Sequence, residues 1–177
     1  MTAESRPALA ALWRRIGALG YEALLLVAMA FVAGFAFLPF VAHDPTKQTL
    51  TQPSTAARAA MFCVLVAAFG VSYGWCWSNG RRTLPQKTWR LRLVDHRGRA
   101  PAWRQALARY AACWIGPAMA LGGYALLQTT GHGRNAVTFL ALNYFWAIVD
   151  RKRQFLHDRL AGTLVVQDDP MIKHEAR

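Results

Sequence analysis

The stretch ALLLVAMAFVAGFAFLPFVA, Ala23–Ala42, decides the fold: 20 residues without a single charged side chain. In a helix rising ~1.5 Å per residue it runs ~30 Å, the thickness of a bilayer's hydrocarbon core. Three more stretches lack Asp, Glu, Lys and Arg. They are Ala59–Gly80 with 22 residues, Tyr110–Gly133 with 24 and Asn135–Val149 with 15. The first two meet the same length criterion. The last reaches only ~22 Å as an α-helix. It spans if Arg134 and Arg151 snorkel at its ends, and is otherwise re-entrant or buried.

Composition agrees. The 177 residues are 54% hydrophobic yet carry a net charge of +12, a combination that requires basic and apolar residues to lie in separate blocks. If all four segments span, one side holds Arg6, Arg14, Arg15, nine basic residues within 78–109 and six beyond Val149. The other side holds Lys47, Arg58 and Arg134. By the positive-inside rule the crowded side is cytoplasmic, so both termini are expected to face the cytoplasm. The positive charge is then topogenic. Its expected partner is the anionic headgroup layer of the bilayer and not nucleic acid. A cleaved signal peptide is disfavoured, because the apolar core is longer than 7–15 residues. Bulky Phe40 also stands two positions before Ala42.

The expected fold is an all-α membrane protein, a four-helix transmembrane bundle with a small cytoplasmic β-hairpin-like loop. Residues 1–9 are expected to be a flexible N-terminus, 10–167 the transmembrane domain and 168–177 a flexible tail. The first helix is read as about Arg14–Phe40, ending near Pro39. An irregular external loop with Pro45 and Pro53 follows. The second helix, about Thr55–Trp77, ends with Trp75 and Trp77 in an interfacial aromatic belt. In the cytoplasmic loop Trp89, Leu91 and Leu93 alternate with Arg90, Arg92 and Val94, which is strand-like. Asp95-His96-Arg97-Gly98 reads as a tight turn, together suggesting a local hairpin. A surface helix begins at Pro101, with Arg104 and Arg109 on its polar side. It runs into a third span, about Arg109–Gln128, which Gly116-Pro117 kinks. Leu164-Val165-Val166 reads as a short strand.

Glu22 is the one acid within the four expected membrane helices. An ionised acid in a span is expensive unless paired, hydrated or protonated. Two readings stay open: a cation or proton site, or a structural acid that fixes helix packing. Arg15 precedes it by seven residues, on the same face to within ~20° but ~10.5 Å away along the axis. That is too far for a direct salt bridge, so each needs a partner from elsewhere. Asp158, close after the fourth segment, is the candidate. The bland alternatives are a topogenic anchor for Arg15 and a turn or cap acid for Asp158. Cys63, Cys76 and Cys113 have no metal-like spacing. No nucleophile–base set, phosphate loop or cofactor motif is present, and no enzyme activity is expected.

These blocks in order resemble the RDD family of bacterial membrane proteins. Arg15-Ile16-Gly17-Ala18-Leu19-Gly20-Tyr21-Glu22 resembles that family's opening. Gly80-Arg81-Arg82-Thr83-Leu84 with Trp89–Asp95 and Gly98 looks like its cytoplasmic loop. His157-Asp158-Arg159-Leu160-Ala161-Gly162-Thr163 looks like its closing motif. The likeness covers about residues 10–167. It implies that Arg15 and Asp158 are the family's arginine and second aspartate, with Glu22 where the first aspartate belongs, one methylene longer. Pro85 stands where a glycine is common. For function it implies a small cation or proton transporter. Four helices alone leave little room for a pathway, which favours a homo-oligomer. A non-transporting membrane scaffold or assembly factor is the alternative.

Overall fold

The computed structural model describes residues 9–37 and 53–168. It is mostly helical. Helix α1 (Leu12–Phe37), helix α2 (Thr55–Trp77) and the stretch Trp103–Thr130 are each long and apolar enough to cross a membrane. Along α1 only Arg15 and Ala18 are buried. Leu24, Val27, Phe31 and Phe35 stand exposed, as expected where the surrounding solvent is lipid. Ser54 caps α2, its hydroxyl accepting from Ala57 N at 3.1 Å, which satisfies one of the free donors of the first turn. The expected exit of α1 at Pro39, most of the external loop and the outer parts of both termini lie outside the described residues.

The third stretch is built from α4 (Trp103–Cys113) and α5 (Ile115–Leu127). The break comes at Trp114, three residues before Pro117. Proline lacks the N–H that would bond the carbonyl four residues back, so Cys113 O is left without its helical donor. Asn143 Nδ2 supplies it, at 3.2 Å from Cys113 O and 3.3 Å from Ala112 O. Glycines let these elements close up. On α2, a methyl at Gly74 would sit 2.7 Å from the Trp103 ring and one at Gly70 would sit 3.1 Å from the Tyr110 ring. The Tyr110 hydroxyl then donates to Val66 O at 2.8 Å.

The fourth apolar segment is not one α-helix. It starts as a 3₁₀ stretch, Gly133–Ala141, and continues as α6 (Leu142–Val149). A 3₁₀-helix rises ~2.0 Å per residue, so the two pieces in line would reach ~30 Å where an α-helix of the same residues would reach ~26 Å. The 3₁₀ part packs closely on α5. A methyl at Gly116 would lie 2.9 Å from Leu140 O.

The soluble part differs from expectation in its strand partner. Strand β1 (Leu91–Asp95) does not fold back on a neighbouring strand. It pairs antiparallel with β2 (Thr163–Gln167), with Leu93 opposite Val165. The turn after β1 is present: Gly98 N donates to Asp95 O at 3.0 Å, and Asp95 Oδ1 accepts from Arg97 N and Arg99 N. It leads into α4 and not into a second strand. On the other edge of β2, Leu9 bridges Val166 and Ala10 N donates to Val165 O at 3.0 Å. At its end, Asp168 N donates to Arg90 O and its carboxylate pairs with Arg82. Leu91, Leu93, Val165, Ala106 and Ala18 form the core under this sheet. The sheet thereby ties the start of α1, the middle loop and the end of the domain into one body.

Candidate functional site

Three short elements bring the charged residues together. The first is α3 (Leu84–Thr88), a helix where the sequence suggested only loop. Its start carries a reciprocal cap. Thr83 Oγ1 accepts from Gln86 N at 3.4 Å, and Gln86 Oε1 accepts from Thr83 N at 2.9 Å. Pro85 sits in the first turn, where its fixed φ and missing N–H do no harm. The pattern Thr-x-x-Gln is readable as a capping box and was the signal for this helix. Trp89 follows and packs on α1, where Gly17 has no side chain to obstruct it: a methyl there would meet the ring at 2.5 Å.

The second element is the turn after α6. The Asp150 carboxylate accepts from Lys152 N and Gln154 N and pairs with Arg159. The backbone hydrogen bond from Gln154, with the others, holds this carboxyl below its usual range. That turn aims the third element, α7 (Leu156–Leu160), inward, so that His157 and Asp158 are both buried.

Asp158 meets Arg109 of α4, whose Nε donates to Asp158 Oδ1 at 2.7 Å. Both side chains are almost solvent-free, at 6% and 2% exposure. Burial alone would raise the Asp158 carboxyl. The charge of Arg109, its hydrogen bond and the charge of Arg15 outweigh burial and hold it low. Arg109 also lies over the Trp77 ring at 4.1 Å. Trp77 is therefore buried, at 4% exposure, and is not part of an outward aromatic belt. Trp75 does face outward, with Arg81 stacked on its ring at 3.7 Å.

Arg109 Nη2 comes within 3.4 Å of His157 Nε2. Arginine only donates, so a hydrogen bond here requires Nε2 to be unprotonated, a tautomer whose Nδ1–H is buried with no hydrogen-bond partner among the described residues. Burial, reinforced by the charges of Arg109 and Arg15 and opposed by Asp158, lowers His157 to about 4.

Arg15 meets the turn between α6 and α7. Its Nη2 donates to Arg153 O at 2.7 Å, and the guanidinium lies over Phe155 at 5.0 Å. Glu22 Oε1 accepts from Thr83 Oγ1 at 2.9 Å. Arg15, Glu22, Gln86 and Arg109 line one small cavity of about 20 Å³, room for about one water molecule. The three residues singled out from sequence thus share one neighbourhood. Asp158 is close enough for Arg15 to influence it, but its hydrogen-bonded partner is Arg109. Sequence reading had placed Arg109 on the polar side of a surface helix. Its signal was position: it directly precedes the apolar run at Tyr110. Two guanidiniums and two carboxylates make the cluster formally neutral. Among the described residues no group of three or more His, Cys, Asp or Glu could hold a metal ion.

A family model described as the RDD family matches residues 9–162, most of the chain. No curated protein and no solved structure matches it. The chain belongs to the RDD family.

Proposed function

We propose, from that membership and the site geometry, that this chain is a small multi-pass transporter of the bacterial inner membrane, working through Glu22. Both termini and the β1–β2 body face the cytoplasm in this reading, by the distribution of basic residues. The fourth segment spans as well, and the extra rise of its 3₁₀ part makes up for its few residues.

The observation that carries the reading is the setting of Glu22. It lines a water-sized cavity, and among the described residues its carboxylate has a hydroxyl as hydrogen-bond partner and not a guanidinium. A carboxylate in that setting can take up and release a proton. Of the two cargo classes, the proton fits better. A metal cation needs several oxygen ligands, and here it would share about 20 Å³ with Arg15 and Arg109.

Asp158 has a different role in this account. With Arg109 it forms a buried, paired unit that holds α7 to α4, and it sets the electrostatic background for Glu22 and Arg15. That division supports transport through Glu22 and structural duty for Asp158. A scaffold reading would make all of them structural. Dissipation of an imposed pH gradient in everted vesicles, with or without added Na⁺ or K⁺ and lost in Glu22→Gln, tests the proposal. Reporter fusions test the topology: a periplasmic C-terminus contradicts it.

A further inference from the structure

The hydrogen-bond donor to Glu22 comes from outside the membrane helices. Thr83 is buried, at 8% exposure, and Gln86 at 5%. The Thr83 hydroxyl has one hydrogen to give. Its lone pair is engaged by Gln86 N at 3.4 Å, while Gln86 Oε1 holds Thr83 N at 2.9 Å. The reciprocal cap thus fixes the hydroxyl's direction, and the hydrogen is left for Glu22 Oε1 at 2.9 Å. Gln86 also lines the Glu22 cavity. A cap that served only α3 would leave the hydroxyl hydrogen pointing to solvent; here it points across to α1.

We propose that Thr83 is the positioning residue for Glu22, its hydroxyl locked by the α3 cap so that it donates to the ionised carboxylate. A donor of this kind favours the charged form over the protonated one. The other charged groups around Glu22 are Arg15 on its own helix, Arg109 on α4 and Asp158 on α7. All three residues are kept in variants at Thr83. The loop between α2 and α4 thereby contributes to the pH at which Glu22 changes state. The inference rests on the reading of Glu22 as a protonating group, but it does not need transport.

The test is a direct titration of Glu22 in the full-length protein in lipid nanodiscs. The carboxyl infrared band is followed against pH and assigned by its loss in Glu22→Gln. Thr83→Val removes donor and cap. Thr83→Gly removes the donor while glycine remains a tolerable N-cap. Thr83→Ser keeps both. We expect the midpoint to rise by about one pH unit or more in Thr83→Val and Thr83→Gly, the scale of a hydrogen bond to a charged group. Thr83→Ser should stay at the wild-type midpoint. An unchanged midpoint in folded Thr83→Gly overturns the proposal, as does a Thr83→Ser midpoint displaced as far as that of Thr83→Val. If the midpoints move as expected but no variant, nor the wild type, carries protons, the transport reading fails and the role of Thr83 stands.

Discussion

Arg109 Nε donates to Asp158 Oδ1 at 2.7 Å, and the two side chains neutralise each other out of reach of solvent. A buried pair of this kind is costly to break from one side, because the surviving charge stays buried without a partner. Arg109→Met and Asp158→Leu should each destabilise the protein by about 3–5 kcal/mol. The double variant Arg109→Met/Asp158→Leu should recover most of that loss. Denaturant unfolding in detergent micelles measures all three.

His157 gives the fold a pH dependence on the acidic side. In the unfolded chain its ring protonates near 6.5, whereas in the fold it stays neutral down to about 4. Between those values the unfolded chain binds the extra proton, so stability falls as pH falls. The full effect is on the order of 3 kcal/mol. Asp158, held low, adds its own loss only as pH drops through its folded value. Melting temperatures between pH 7 and 4 should therefore decline in the wild type. His157→Gln should flatten that decline above pH 4.

The membrane helices were legible because hydropathy is a local property: Ala23–Ala42 announces itself whatever surrounds it. The strand at Leu91–Asp95 was legible for the same reason, since alternation shows within five residues. Its partner was not. Leu93 pairs with Val165, far along the chain, and nothing in the alternation of Trp89, Leu91 and Leu93 says which distant strand completes the ladder. The site divided in the same way. Glu22 stood out as a charge in an apolar run. Arg109 did not, because its burial depends on α7 docking against α4. Thr83 and Gln86 carried a readable cap pattern, but their contact with Glu22 depends on how α3 lies on α1.

Asn143 and Pro117 should be energetically coupled. Asn143 serves the carbonyl of Cys113 that Pro117 leaves bare. Asn143→Ala should cost about 1–3 kcal/mol, the scale of a buried acceptor left unsatisfied. In a Pro117→Ala background the restored N–H can reach Cys113 O. There the same Asn143→Ala change should cost measurably less. A double-mutant cycle reads the coupling directly.

Two glycines on α5 should respond to alanine in opposite directions. A methyl at Gly122 meets nothing within 4 Å, whereas one at Gly116 meets Leu140 O at 2.9 Å and Phe139 O at 3.0 Å. Gly122→Ala should be neutral or stabilise by up to ~1 kcal/mol through helix propensity. Gly116→Ala should push the 3₁₀ segment off α5 and destabilise by about 1–3 kcal/mol, the scale of overpacking. Thermal unfolding of the two variants side by side checks both signs.

The most direct measurement of the central claim uses purified protein in sealed proteoliposomes carrying a pH-sensitive dye. Wild type, Glu22→Gln and Glu22→Asp are compared at equal, verified insertion. The account predicts that wild type dissipates an imposed pH gradient, with or without Na⁺ or K⁺. Glu22→Gln should lose at least about tenfold of that rate, as expected when the group that carries the proton is removed. Glu22→Asp should retain part of it. Dissipation by Glu22→Gln at the wild-type rate, or no protein-dependent dissipation by inserted wild type, contradicts the account and leaves the cluster as structural glue.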